Sequence, residues 1–293
     1  MSEVRGLFSA MIGYGGRVTA TLPALMMILS GSIHAVVNAI VKGGKDKMAA
    51  RAVTDGSSAI ILLPATLFVA LPGGAWGWLA ASAAIHALYL YALIRAYQVA
   101  DFSAAYPVLR GTAPLVTALV TLGLLRQPAS AWQVAGIALI GGAMFLLVLG
   151  RHLGRAALGW SVLTGVTIAA YTVVDAAGVR AAPTAASYIV WLFVVMGAIV
   201  PAIFLAIGRG TMIAAVRVQW RPGVIAGLLS IVTYGFALTA LSRGPTAPLA
   251  ALRETGMVTA LGISMLVMGE KATAGRIVAI FAILAGATLI LVA

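Results

Sequence analysis

The chain has no cysteine, only three histidines and only seven acidic residues in 293 positions. Without thiols there is no disulfide, no thiolate metal site and no cysteine nucleophile. Neither a His-Glu-x-x-His pair nor a serine elbow with its base occurs, so an intramembrane enzyme is the most distant reading. The expectation is a protein that is not an enzyme and has no cofactor and no metal site. Charge is scarce as well. Charged residues make up 9% of the chain, against about a quarter in a soluble domain.

What the chain has is apolar. It is 62% hydrophobic with a mean hydropathy of +1.08, the composition of a polytopic membrane protein. The net charge of +12 would suggest nucleic acid in a soluble protein. In this setting it fits loops lying on anionic lipid, and no nucleic-acid partner is expected. Residues 1–20 lack the pattern of a cleaved signal, and the first apolar run, near Leu22, is read as retained.

A spanning helix needs about 20 mostly apolar residues. Runs of that kind fall at 22–41, 53–71, 76–97, 103–125, 131–149, 157–178, 187–207, 223–242, 246–268 and 274–292, with turn-rich breaks between them. The fold class is therefore all-α, with ten transmembrane helices. Sliding the second half over the first brings His34 and Asn38 onto Tyr171 and Asp175, and Pro64 onto Pro201. Further along, His86 meets Tyr234, Arg95 meets Arg243, and Arg110 and Thr112 meet Arg253 and Thr255. Finally, "GGAMFLLV" meets "AGATLILV". Each match is weak, but together they keep the order of the helices. Five helices per copy is an odd number, so the second copy must run upside down. The expected organisation is an N-terminal segment, 1–21, and two inverted five-helix repeats, 22–149 and 150–293.

An ionisable group at bilayer depth costs about 2.5–3.5 kcal/mol and is rarely idle. Arg110 and Arg253 are candidates to hold a carboxylate or phosphate; the alternative is that Arg253 pairs with an acid such as Glu254 or Asp175, while Arg110 snorkels or bonds carbonyls freed by the prolines. Glu254 reads as counter-ion or as proton carrier. His34 and Asn38 share one helix face, as do Tyr171 and Asp175, and both faces suit either a cavity wall or interhelical bonding. His86, Tyr89, Trp191 and Tyr234 complete the candidate cavity. Tyr97 and the tryptophans at 76, 78, 132 and 160 sit at span ends, where aromatic side chains mark the lipid interface. Pro107, Pro114 and Pro248 each cost a helix hydrogen bond and are candidate hinges.

The segments "HAVVNAIVKGG", "YPVLRGTAPLVTAL", "AAYTVVDAAGVR" and "AALRETGMVTALGISMLVMGEK", with the glycine-rich last helix, resemble the drug/metabolite transporter superfamily. More narrowly they resemble its EamA-domain family, which includes YddG-type amino acid exporters. The first half lacks the Gly-Glu that ends the penultimate helix of the second. The resemblance implies a secondary active transporter that exports small metabolites, amino acids among them, by alternating access; the tyrosines, tryptophan and amide of the candidate cavity point to neutral or aromatic amino acids. A sugar-phosphate or nucleotide-sugar exchanger of the same superfamily is the alternative. It also implies a multi-pass protein of a cell membrane, the bacterial inner membrane in particular. Its partners would be a small-molecule substrate, membrane lipid and a candidate coupling proton. Orientation divides the signals. Five basic residues lie on the side of the termini and eleven on the other face. By loop charge the termini are therefore outside, whereas the resemblance implies termini inside.

Overall fold

The computed structural model describes residues 21–43, 47–149, 153–208, 211–267, 269, 271 and 273–293. Arg5, Arg17, Lys45, Arg151 and Arg209, among the basic residues counted for orientation, and Glu270 of the Gly-Glu segment lie outside the described residues, as does nearly all of the segment 1–21. Among the described residues all regular structure is helical. In chain order the helices are α1 (Thr21–Gly43), α2 (Lys47–Leu62), α3 (Trp76–Val99), α4 (Phe102–Ala118), α5 (Ala131–Leu146) and α6 (Arg155–Ala181). They continue with α7 (Ala185–Gly208), α8 (Thr211–Leu241), α9 (Thr246–Arg253), α10 (Gly256–Leu266) and α11 (Ala274–Leu291). A 3-10 turn, Leu63–Leu67, extends α2, and a π-helical turn, Leu119–Leu124, extends α4.

Every predicted run carries helix, but not all carry it as expected. Eight helical stretches are long and apolar enough to cross a membrane, and Ala131–Leu146 is a shorter apolar one. The second run begins at Lys47 rather than residue 53, because Arg51 and Asp55, one turn apart, form an ion pair at 2.8 Å that lets the helix carry charge. The eighth begins at Thr211 rather than 223 and contains Pro222. The ninth is not one helix. It breaks at Glu254–Thr255, where Glu254 N–H donates to Ala251 C=O and Thr255 N–H to Leu252 C=O in tightened turns.

The prolines divide accordingly. Pro107 and Pro114 lie inside α4, and Pro201 lies inside α7. Pro248 is in the first turn of α9, where backbone N–H groups have no helical partner and proline costs little. It therefore does not bend the ninth run, which breaks six residues later.

The helices pack in a recurring scheme. α3 lies along α6 and α1 along α8; α4 lies on α6, and α9 with α10 lies on α1; α5 pairs with α11 and α2 with α7. Small residues set the closest crossings, as they do wherever membrane helices approach each other. A Cβ added to Gly31 would stand 2.1 Å from Arg253 O, and one on Gly165 would stand 2.7 Å from Leu109 O. α2 is held between α7 and α8, with Ser58 Oγ donating to Gly227 O at 3.1 Å and Ser57 Oγ to Gly223 O at 3.4 Å. α3 and α7, by contrast, meet over a short length. That difference leaves room for a cavity.

Candidate functional site

A cavity of about 280 Å³ opens among seven of the helices and α9. Its polar lining is His34 and Asn38 from α1, Arg51 and Asp55 from α2, His86, Tyr89 and Tyr97 from α3, and Tyr106 and Arg110 from α4. Tyr171 of α6, Ser230, Thr233 and Tyr234 of α8, and Arg253 of α9 close the circle. Most of the apolar lining comes from α3 and α7, including Leu90, Ile94, Phe193, Met196, Val200 and Phe204.

Chain direction locates the mouth. The lining comes from the late part of α1, the early part of α2, the late half of α3, the early half of α4 and the middle to end of α7. All of these lie on the face where α1 ends and α2 begins, so the cavity runs from mid-bundle to that face. The opposite face is packed and bonded. Arg180 donates through Nε to Leu241 O at 3.0 Å and through an Nη to Gly244 O at 2.8 Å. Ser187 Oγ donates to Ala70 O at 2.6 Å, and Trp76 meets Trp191 edge-on with centroids 5.4 Å apart.

The aromatic wall between α3 and α6 has a definite order. His86 stacks on Tyr171 with centroids 4.1 Å apart, and Tyr89 meets Tyr171 edge-on at 5.7 Å. His86 Nδ1 donates to Ser82 O at 2.9 Å, one turn back, which fixes the ring. Asn38 Nδ2 donates to Tyr106 OH at 3.2 Å. Among the described residues no cluster of three or more His, Cys, Asp or Glu side chains that could hold a metal occurs.

The three arginines of the cavity are balanced unequally. Arg51 pairs with Asp55. Arg110, 7% exposed, pairs through Nε with Glu254, 4% exposed, at 2.8 Å. Arg253 has no ion pair and no hydrogen bond among the described residues, and its Nε is buried without a partner. Its guanidinium lies over the ring of Tyr234, 5.4 Å from the centroid. The two carboxylates thus match two of the three cations, leaving one in reach of the cavity.

Of the residues predicted from the sequence, His34, Asn38, His86, Tyr89, Arg110, Tyr171, Tyr234 and Arg253 all line this one cavity. Asp175, Glu254 and Trp191 lie behind its wall. Asp175 is fully buried and accepts hydrogen bonds from Tyr188 OH at 2.8 Å and from Tyr234 OH. Glu254 faces Arg110 rather than the neighbouring Arg253. Tyr97, read as an interface residue, also lines the cavity. Sequence reasoning missed Arg51 and Asp55, because their charges look like the end of a loop. The signal was their i, i+4 spacing, which marks a helical pair.

The protein-family comparison bears on this geometry directly. Residues 155–292 match the EamA-like transporter family. The EamA-like stretch runs from α6 to α11 and contributes Tyr171, Tyr234 and Arg253 to the cavity. A solved crystal structure of a protein is similar over 94% of this chain and 96% of its own, with a TM-score of 0.70 and 17% identity, which shows a shared fold. No curated protein matches the sequence. The apolar helices and the EamA-like stretch together make this an integral, multi-pass membrane protein whose residues 155–292 resemble the EamA-like transporter family.

Proposed function

We propose that the chain is a secondary active transporter that exports small carboxylate-bearing metabolites, neutral and aromatic amino acids foremost, by alternating access of two inverted five-helix halves. The observation that carries this reading is Arg253, a guanidinium without an ion-pair partner among the described residues, at the edge of a cavity whose other two arginines are paired with Asp55 and Glu254. A cation left unbalanced at bilayer depth is costly, and a substrate carboxylate would complete it with two parallel hydrogen bonds. The aromatic wall of His86, Tyr89 and Tyr171 supplies the surface for an apolar or planar side chain.

The helix contacts support the inverted repeat. Exchanging the halves maps α3 on α6 into α8 on α1, and α4 on α6 into α9 and α10 on α1; both members of each pair are present. The pair that breaks the rule, α2 close on α8 but α3 barely touching α7, is what a bundle open on one face requires. The ten-span count belongs to this reading, with α2 and α5 as its two shorter spans.

The exchanger reading is the weaker one. A phosphate carries about two charges, and Glu254 already neutralises Arg110. A cavity of about 280 Å³ is below the usual range for drug-sized ligands, about 300–1,000 Å³, and far too small for a nucleotide sugar. Counterflow from proteoliposomes preloaded with mixed amino acids and sugar phosphates tests the choice. Exchange of amino acids is expected, and exchange of sugar phosphate alone would reverse it. Loop charge puts the cavity mouth in the cytoplasm, whereas the family resemblance puts it outside. A reporter fused to the C-terminus reads which face is which.

A further inference from the structure

An α-amino acid brings two charges into the cavity. Its carboxylate has a place on Arg253, and its ammonium needs an acceptor of opposite charge. Three carboxylates stand in or behind the cavity wall, and they are not equivalent. Glu254 is 4% exposed and turned to Arg110. Asp175, the carboxylate free of any cation, is fully buried, and its two oxygens accept from Tyr188 OH and Tyr234 OH. Tyr188 reaches it because Gly178 clears the way: a Cβ there would stand 2.4 Å from the tyrosine ring. Among the described residues, Asp55 is the one carboxylate in the lining itself.

We infer that Asp55 is the ammonium-binding residue of the cavity, and that it selects α-amino acids over carboxylates that lack the amino group. This rests on the reading of Arg253 as the carboxylate anchor. Arg51 holds the acid by one bond, Nε to Oδ2 at 2.8 Å, and no bond to Oδ1 occurs among the described residues. A carboxylate accepts several hydrogen bonds, so an ammonium at Oδ1 shares the acid without displacing the guanidinium. Such charge-assisted bonds are about twice as strong as neutral ones. A neutral acceptor stands on α1, where Asn38 has its Nδ2 on Tyr106 OH and keeps its amide oxygen for a further N–H.

The acid is also held in a fixed place. A Cβ on Gly197 of α7 would stand 2.7 Å from Asp55 O, and one on Gly223 of α8 would stand 2.5 Å from Val53 Cγ1. α2 is therefore wedged from both sides at this level. By helical rise, Asp55 lies about 12 Å along α2 from the mouth. On α1, which ends at the same mouth, the crossing of Gly31 on Arg253 lies about 18 Å in. The acid thus stands about 6 Å nearer the mouth than the arginine backbone, within the depth that the cavity spans. A ligand with its carboxylate inward and its ammonium toward the mouth bridges the two. Its side chain then falls against the wall of His86, Tyr89 and Tyr171.

The test follows binding to the purified full chain in detergent by calorimetric titration, with L-phenylalanine and hydrocinnamate as probes. The second has the same ring and carboxylate but no amino group. Wild type should bind L-phenylalanine about tenfold or more the tighter. Arg51→Gln together with Asp55→Asn removes the pair without changing the net charge of the cavity. In that double variant L-phenylalanine should fall to the affinity of hydrocinnamate, whose own affinity should stay near the wild-type value. Arg51→Gln alone keeps the acid and should keep the preference, and it decides if the double variant fails to fold. Equal binding of the two probes by wild type would overturn the assignment and leave the carboxylate reading of Arg253 intact. A preference that survives the double variant, a folded double variant that loses both probes alike, or a preference lost in Arg51→Gln would each overturn it too. If neither probe nor any other free amino acid binds the wild type, the transport reading falls, and this inference with it.

Discussion

Arg110 and Arg253 are set by the sequence in matching places of the two halves, yet the structure treats them oppositely. Arg110 is buried against Glu254, an acid from the other half of the chain. Arg253, one residue from that same acid, is left with a tyrosine face and no counter-ion. The residue that follows each arginine explains the difference. Beside Arg110 stands Gly111, packed so closely on α5 that an added Cβ would stand 2.8 Å from Met144 Cβ. Beside Arg253 stands Glu254, and the chain breaks there, turning the carboxylate away from its own neighbour. Two arginines at matching places in the sequence thus become one paired cation and one without an ion-pair partner among the described residues.

The largest expected effect comes from breaking the structural side of this comparison. Glu254→Gln leaves Arg110 charged and buried without an acid, which costs about 3–5 kcal/mol. Thermal unfolding in detergent should show a large loss of stability. The double change Arg110→Met with Glu254→Leu should recover most of it, since replacing both members of a buried pair is often neutral. A Glu254→Gln protein that melts like wild type would mean that Arg110 does not depend on this acid.

Arg253→Met should behave in the opposite way. The fold has no ion pair to lose there, so the melting temperature should stay close to wild type. Amino acid affinity should fall by about 2–5 kcal/mol, the range for removing one partner of a desolvated charge pair. Thermal shift with and without ligand measures both on one sample. If Arg253→Met unfolds the protein but leaves affinity intact, the two arginines have exchanged roles.

Next comes the crossing that positions the break. Gly31→Ala places a methyl 2.1 Å from Arg253 O and should destabilise by about 1–3 kcal/mol through overpacking. Gly142→Ala, with nothing within 4 Å, is the matched control and should be neutral or slightly stabilising. Equal melting temperatures for the two variants would place the break elsewhere.

The smallest effect concerns the prolines. Pro248→Ala should change stability by about 0.5 kcal/mol or less and leave transport rate unchanged, because the residue sits in a first turn. Pro107→Ala and Pro114→Ala restore backbone donors inside α4. If that helix rocks during transport, turnover in proteoliposomes should slow more than affinity weakens. Wild-type turnover in both would remove the hinge from the mechanism.

Much of the site was legible because polar residues are so rare in this chain. His34, Asn38, His86, Tyr89, Arg110, Tyr171, Tyr234 and Arg253 could be chosen from the sequence, since each has to be explained at bilayer depth. Asp175 and Glu254 were chosen for the same reason, but depth is not direction. Helical spacing says which residues share a face; it does not say whether that face meets a cavity or another helix. Tyr97 was misread because an aromatic at a helix end looks the same at a lipid interface and at a cavity mouth. Arg51 and Asp55 were passed over because a charged pair lowers the apolar signal that marks a span.

Composition and run length determined that this chain is a multi-pass helical membrane protein, because a bilayer admits only helices and closed barrels, and unbroken apolar runs of about 20 residues fit helices. The run lengths and breaks placed the helices, and the ordered matches between halves suggested how they relate. What only the tertiary structure decided was the pairing of charges. Glu254 could have served either arginine, and Asp175 could have served Arg253. Which pair forms depends on distances across the bundle, set where Gly31 meets the break and where Gly178 admits Tyr188. Contacts between residues far apart in the chain have no local signature, so the free cation and the free carboxylate emerge only once the helices are packed.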